Sequence, residues 1–139
     1  MEELLARSGM RDLAIVFVHL PRGVRGEYRH DERTIALSIQ LSRRQAHSTL
    51  AHELGHAYYG HLPTDDPVEH AKQERMADDY AAQLLITPAE YADAEQQCGT
   101  HLASLAYHLD VTPAIVRAWR SLWMRRGTNH GHNKAVRHR

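Results

Sequence analysis

Thr49-Leu50-Ala51-His52-Glu53-Leu54-Gly55-His56-Ala57-Tyr58-Tyr59 carries the pattern His-Glu-x-x-His inside a segment of helical character. On a helix, residues four apart share a face, so His52 and His56 aim two imidazole nitrogens at one point. Glu53 stands one step round. Two histidines so spaced, with a glutamate beside the water that completes the coordination, are how zinc-dependent peptidases build their reactive centre. The pattern is short, so its meaning depends on what surrounds it.

The surroundings supply a helix. Ser42-Arg43-Arg44-Gln45 is a capping box, in which Ser42 satisfies a free backbone N–H and Gln45 reaches back to the cap. The helix it opens runs to about Tyr59, with Leu50, Leu54 and Ala57 or Tyr58 at core spacing, and Gly60 and Pro63 stop it. Asp66-Pro67-Val68-Glu69 repeats the signal, with Asp66 as N-cap, Pro67 at the first helical position and Glu69 completing the box. That second helix reaches about Ile86. Thr87-Pro88-Ala89-Glu90 starts a third, ending near Gly99, and Thr100 and Thr112-Pro113 open two more.

Ahead of the motif, Met1 to Met10 predicts a short helix ended near Gly9. Ala14 to Leu20 is almost continuously apolar, Gly26 to His30 is short and mixed, and Thr34 to Ile39 alternates with Ile35, Leu37 and Ile39 on one face. These read as three strands. Turn residues at Pro21-Arg22-Gly23 and Asp31-Glu32-Arg33 favour antiparallel pairing, since parallel strands need long crossovers. The predicted fold is therefore α+β: a small, mostly antiparallel three-stranded sheet packed on the His-Glu-x-x-His helix, then a second ligand-bearing helix and a C-terminal helical cluster. One domain spans residues 1–126, and the polar, basic stretch 127–139 reads as a loose tail.

At 139 residues the chain has room for one core. Lys plus Arg and Asp plus Glu are each 17, so no overall field draws the protein to nucleic acid or to an anionic membrane. Glu2, Glu3, Arg7, Arg11 and Asp12 interrupt the first twenty residues, which fit neither a signal peptide nor a spanning segment, and a cytosolic protein is expected. Cys98 is the only cysteine, which rules out an internal disulfide and a cysteine-based zinc site. A metal must rest on histidines and carboxylates. His19 and His30 fall on the strands with nothing at ligand spacing and read as structural or surface residues.

A peptidase zinc site takes three protein ligands and keeps one position open. The extended pattern His-Glu-x-x-His-x-x-Gly-x-x-His would need glycine at position 59 and histidine at position 62, where this chain has Tyr59 and Leu62. The other solution borrows a carboxylate from a second helix. Glu74 sits two turns into the helix opened by Asp66, with Asp78 one turn further along the same face. A carboxylate that accepts the outer N–H of a ligating histidine fixes its tautomer and ring orientation, and Asp78 has the right chemistry for that task.

His52-Glu53-Leu54-Gly55-His56, followed by Glu74-x-x-Ala77-Asp78-x-Tyr80-Ala81-x-x-Leu84-Leu85, resembles the ImmA/IrrE family of zinc metallo-endopeptidases. The likeness extends upstream through Gly26-Glu27-Tyr28, Thr34 to Ile39 and Thr49-Leu50-Ala51, and downstream through Leu102 to Leu122, roughly positions 14 to 124 in all. The family usually has Asn where this chain has Asp78 and Phe where it has Tyr80, and Thr87 intrudes before Pro88 in the common Leu-Leu-x-Pro ending. The resemblance implies a cytosolic protease whose protein substrate is a repressor, often in a mobile element or prophage. With Zn2+ on His52, His56 and Glu74, Glu53 is the general base and later the acid. Tyr59, His61, His70 and Tyr80 are the nearby candidates for a donor to the oxyanion, and the spacing does not choose among them. Tyr58 and Tyr59 also suit a packing role.

A different class competes for the C-terminal part. Residues 101–126 read as two short helices with a tight turn, the outline of a helix-turn-helix DNA-binding regulator, with Arg117, Arg120, Arg125, Arg126, Lys134, Arg137 and Arg139 available for phosphates. Yet Leu102, Leu105, Ala106, Leu109, Val111, Ile115, Trp119 and Leu122 are also what two helices need to complete a small core. Packing is the favoured reading, and DNA is not an expected partner.

Overall fold

The computed structural model describes the backbone of residues 1–137 and the side chains through Arg126. A short helix, α1 (Glu2–Ser8), precedes strands β1 (Ala14–Val18), β2 (Gly26–Arg29) and β3 (Thr34–Ser38), and five helices follow: α2 (Arg43–Tyr59), α3 (Pro67–Leu85), α4 (Pro88–Cys98), α5 (Leu102–Leu109) and α6 (Pro113–Arg137). The fold is α+β, with α2 packed against both β2 and β3 on one side and against α3 on the other. Helix α6 continues through residues 127–137, where the sequence suggests a loose tail; residues 138–139 lie outside those described, as do the side chains from 127 on.

The strands form where the sequence places them, but their order differs from the predicted meander. The sheet runs β1-β3-β2, with β2 antiparallel to β3 and β1 parallel to it, so it is mixed rather than mostly antiparallel. The turn at Pro21 does form, closed by Val24 N–H donating to Pro21 O at 2.9 Å. The connection from β1 then passes over β3 instead of folding β2 back onto β1. Strand β3 takes the centre because Ile35, Ala36 and Leu37 are all fully buried, whereas the more continuously apolar β1 lies at an edge with Phe17 53% exposed. Ile39, predicted to extend the buried face, lies beyond the strand and is exposed.

Capping follows the sequence closely. Ser42 and Gln45 make the full box at α2, Thr87 and Glu90 make it at α4, and Asp66 caps α3 by accepting from Val68 N–H at 3.0 Å. The α3 cap is one-sided, with Pro67 rather than a Glu69 bond completing it. At α5 the cap is His101, one residue after the predicted Thr100, and its ring nitrogen accepts from Ser104 N–H. A substituted first-turn cap costs about 0.5–2 kcal/mol, so these ends are firm anchors for the helices they start.

Leu50, Ala51, Leu54 and Ala57 bury one stripe of α2, and Tyr58 stays exposed. Each fully buried leucine contributes about 1.5–3 kcal/mol relative to exposure. The α2–α3 interface is close because of Gly55: a Cβ there would lie 2.8 Å from Ala77 Cα and 2.9 Å from Ala77 O. Two backbones in contact leave α3 a single seating on α2. Leu105, Ala106, Val111, Ile115, Val116, Trp119 and Leu122 of the closing helices are buried, as packing requires. Trp119 stacks on Tyr91 with centroids 4.1 Å apart and donates its indole N–H to Ile86 O at 3.3 Å.

Candidate metal centre

The α2–α3 seating brings three side chains to one point. His52 Nε2 and His56 Nε2 are 3.2 Å apart, His52 Nε2 lies 3.4 Å from Glu74 Oε1, and His56 Nε2 lies 2.7 Å from Glu74 Oε2. Tetrahedral ligands about 2.0–2.1 Å from a zinc ion are separated by about 3.3 Å; the His52–His56 and His52–Glu74 spacings lie close to that, and His56 and Glu74 stand nearer, at hydrogen-bond distance. His52, His56 and Glu74 form the group that could hold a metal ion among the described residues.

Hydrogen-bond accounting makes the same point chemically. A neutral imidazole has one N–H and one lone pair. His52 Nδ1 faces Asp78 Oδ1 at 2.8 Å, which directs the His52 proton outward and leaves its Nε2 lone pair facing inward. His56 Nδ1 likewise faces His61 Nδ1 at 2.9 Å. With His61 as the acceptor for His56, two inward lone pairs and a carboxylate converge, an arrangement that repels itself unless protons or a metal cation sit among them. A proton in that place settles on His52: burial opposes the charge, but hydrogen bonds to Asp78 and Glu74 and the field of Glu53 outweigh it, and the pKa is pushed up to about 10. The histidine hydrogen bonds hold the Glu74 carboxyl well below the usual range despite partial burial.

Glu53 is buried at 6% exposure, next to the two histidines, on the floor of the cleft. Burial raises its pKa, and the nearby His52 and His56 only partly offset that. A carboxylate held this way is a stronger base than one in water.

The cleft has a volume of about 730 Å³. Its floor is His52, Glu53, His56 and Glu74. One wall comes from β2 and the preceding residues Gly23, Val24 and Arg25, the other from Leu62 to Thr64 and from His70 and Gln73 on α3, with Thr112 and Ile115 of the closing helices at its end. His61 and His70 line it, but Tyr59 and Tyr80 do not. The tyrosines instead form an aromatic group, Tyr58 lying 5.0 Å from Tyr59 and 5.2 Å from Tyr80 between ring centroids. Tyr58 and Tyr59 thus contact each other at the surface, outside the core that a packing role suggests. The β2 wall and the end wall at Thr112 leave no local mark in the sequence, because residues far apart in the chain meet there only through the sheet order and the α6 placement.

A His-Glu-x-x-His helix facing a glutamate from a second helix across an open cleft is the framework of a metallopeptidase. The family model Peptidase M78, described as the IrrE N-terminal-like domain, matches residues 11–118. The chain belongs to this ImmA/IrrE peptidase family. No curated protein matches it. No helix among the described residues is long and apolar enough to cross a membrane.

Proposed function

We propose that this protein is a zinc-dependent endopeptidase acting in the cytoplasm on a protein substrate, a repressor of the mobile-element or prophage type. The reading rests on the convergence of His52 Nε2, His56 Nε2 and the Glu74 carboxylate within 3.4 Å of one another beside a buried Glu53. The choice of a repressor as substrate rests on the family resemblance.

His52, His56 and Glu74 would hold the metal, which when bound supplies a Lewis acid that polarises a carbonyl and lowers the pKa of water toward neutrality. Glu53 takes a proton from the attacking water and returns it to the leaving amine, and its raised pKa suits both steps. Asp78 holds the His52 ring by accepting from Nδ1. Strand β2 is an edge strand, and its residues Gly26, Glu27 and Tyr28 border the cleft. An extended peptide laid along that free edge would gain backbone hydrogen bonds, and its scissile bond would cross the floor at Glu53.

The DNA-binding alternative is less well supported. Arg120 donates to Tyr91 Oη and Thr100 O, Arg125 to Asp79, and Arg126 to Gln83, so three of the cations it needs are committed within the protein. Co-expression with a candidate repressor tests the proposal: the native chain cleaves it, while Glu53→Gln keeps its metal and does not, because an amide cannot carry the proton. Undiminished cleavage by the variant would refute the role of Glu53.

A further inference from the structure

We infer that His61 is a positioning residue of the metal centre: its Nδ1 accepts the Nδ1–H of His56 and so fixes the tautomer and ring plane in which His56 offers Nε2 to the metal. The inference rests on the reading of His52, His56 and Glu74 as metal ligands. In that reading both histidines ligate through Nε2, so each must carry its proton on Nδ1 and needs an acceptor there. Asp78 is the acceptor for His52, and His61, at 2.9 Å, is the atom in place for His56.

The backbone builds this contact. Gly60 ends α2 in the left-handed conformation, with φ 64°. Gly60 N–H then donates to Ala57 O at 3.1 Å and His61 N–H to His56 O at 3.0 Å, the paired bonds of a Schellman turn. A chain that reverses this way lays the residue five positions after His56 over the last helical turn. The rings of His56 and His61 meet edge to face with centroids 5.2 Å apart, and Tyr59 stacks on His61 at 5.4 Å. His61 is therefore held by a turn and an aromatic neighbour, not presented by a free loop. A neutral acceptor also adds no further negative charge beside Glu53, Glu74 and Asp78.

The test uses the full chain, stripped of metal and titrated with zinc against a competing chelator. His61→Phe keeps the aromatic stack but offers no acceptor, and should bind zinc about 10- to 100-fold more weakly. His61→Asn should recover most of the affinity, because its amide oxygen accepts where the ring nitrogen did. Nitrogen-15 NMR of the zinc-loaded proteins supplies an independent readout: a slowly exchanging His56 Nδ1–H is expected in the native chain and in His61→Asn, and its loss in His61→Phe. Native affinity in His61→Phe with that proton unchanged would overturn the inference and leave the metal site standing. An Asn variant as weak as the Phe variant would overturn it too, since the loss would then not be that of an acceptor. A native chain that binds no zinc would instead overturn the metal reading beneath it.

Discussion

His52 and Asp78 meet across the α2–α3 interface at 2.8 Å, Nδ1 to Oδ1, while Asp79, the very next residue, turns away and bonds Arg125 of α6 at 2.7 Å. Successive helical residues point about 100° apart, so two aspartates of identical chemistry face different partners. Asp78→Ala should weaken zinc binding about 10- to 100-fold. Asp79→Ala should leave it near the native value and loosen only the α3–α6 contact. Asp78→Asn should stay close to native, because an amide oxygen still accepts the hydrogen bond. Chelator-competition titrations rank the three, and a larger loss in Asp79→Ala than in Asp78→Ala would contradict the placement.

Gly55 sets the distance between the helices that carry His52, His56 and Glu74. In Gly55→Ala the added methyl meets Ala77 backbone atoms, which no side-chain rotation can relieve. Overpacking of this kind costs about 1–3 kcal/mol, against about 1 kcal/mol gained in helix propensity. Net stability should therefore fall only modestly, but Glu74 should be pushed away from His52 and His56 and zinc affinity should drop. Denaturant unfolding and metal titration of the same sample check both effects, and an unchanged affinity would show that the interface has slack.

The proton held by His52 in the metal-free centre must leave when a metal enters. Its pKa, pushed up to about 10, lies above neutrality, so zinc affinity should strengthen as pH rises and weaken as it falls. For one displaced proton the change is about tenfold per pH unit below that pKa. Titrations between about pH 7 and about pH 8.5 should follow this slope, and an affinity flat across the range would mean that His52 is not protonated in the free site.

The helices and their ends were legible in the sequence because capping is local: Ser42 with Gln45 and Thr87 with Glu90 find each other within one turn. The convergence of His52, His56, Glu74 and Asp78 was legible for the same reason, since they follow helical periodicity on just two elements. Strand order was not, because which strand takes the centre depends on burial from both faces, and that is settled by Ile35, Ala36 and Leu37 together rather than by any strand alone. His61 carried a readable signal that spacing rules for ligands overlook: a histidine directly after a helix-ending glycine is folded back over the preceding turn. The cleft walls at β2 and Thr112 had no such local mark.

The claim that His52, His56 and Glu74 together hold one zinc ion is tested most directly by metal analysis of the purified native chain beside His52→Ala and Glu74→Ala. One zinc per native chain is expected, with loss of tight binding in both variants, since each removes one of the three converging side chains. Full zinc occupancy retained in both variants would contradict it.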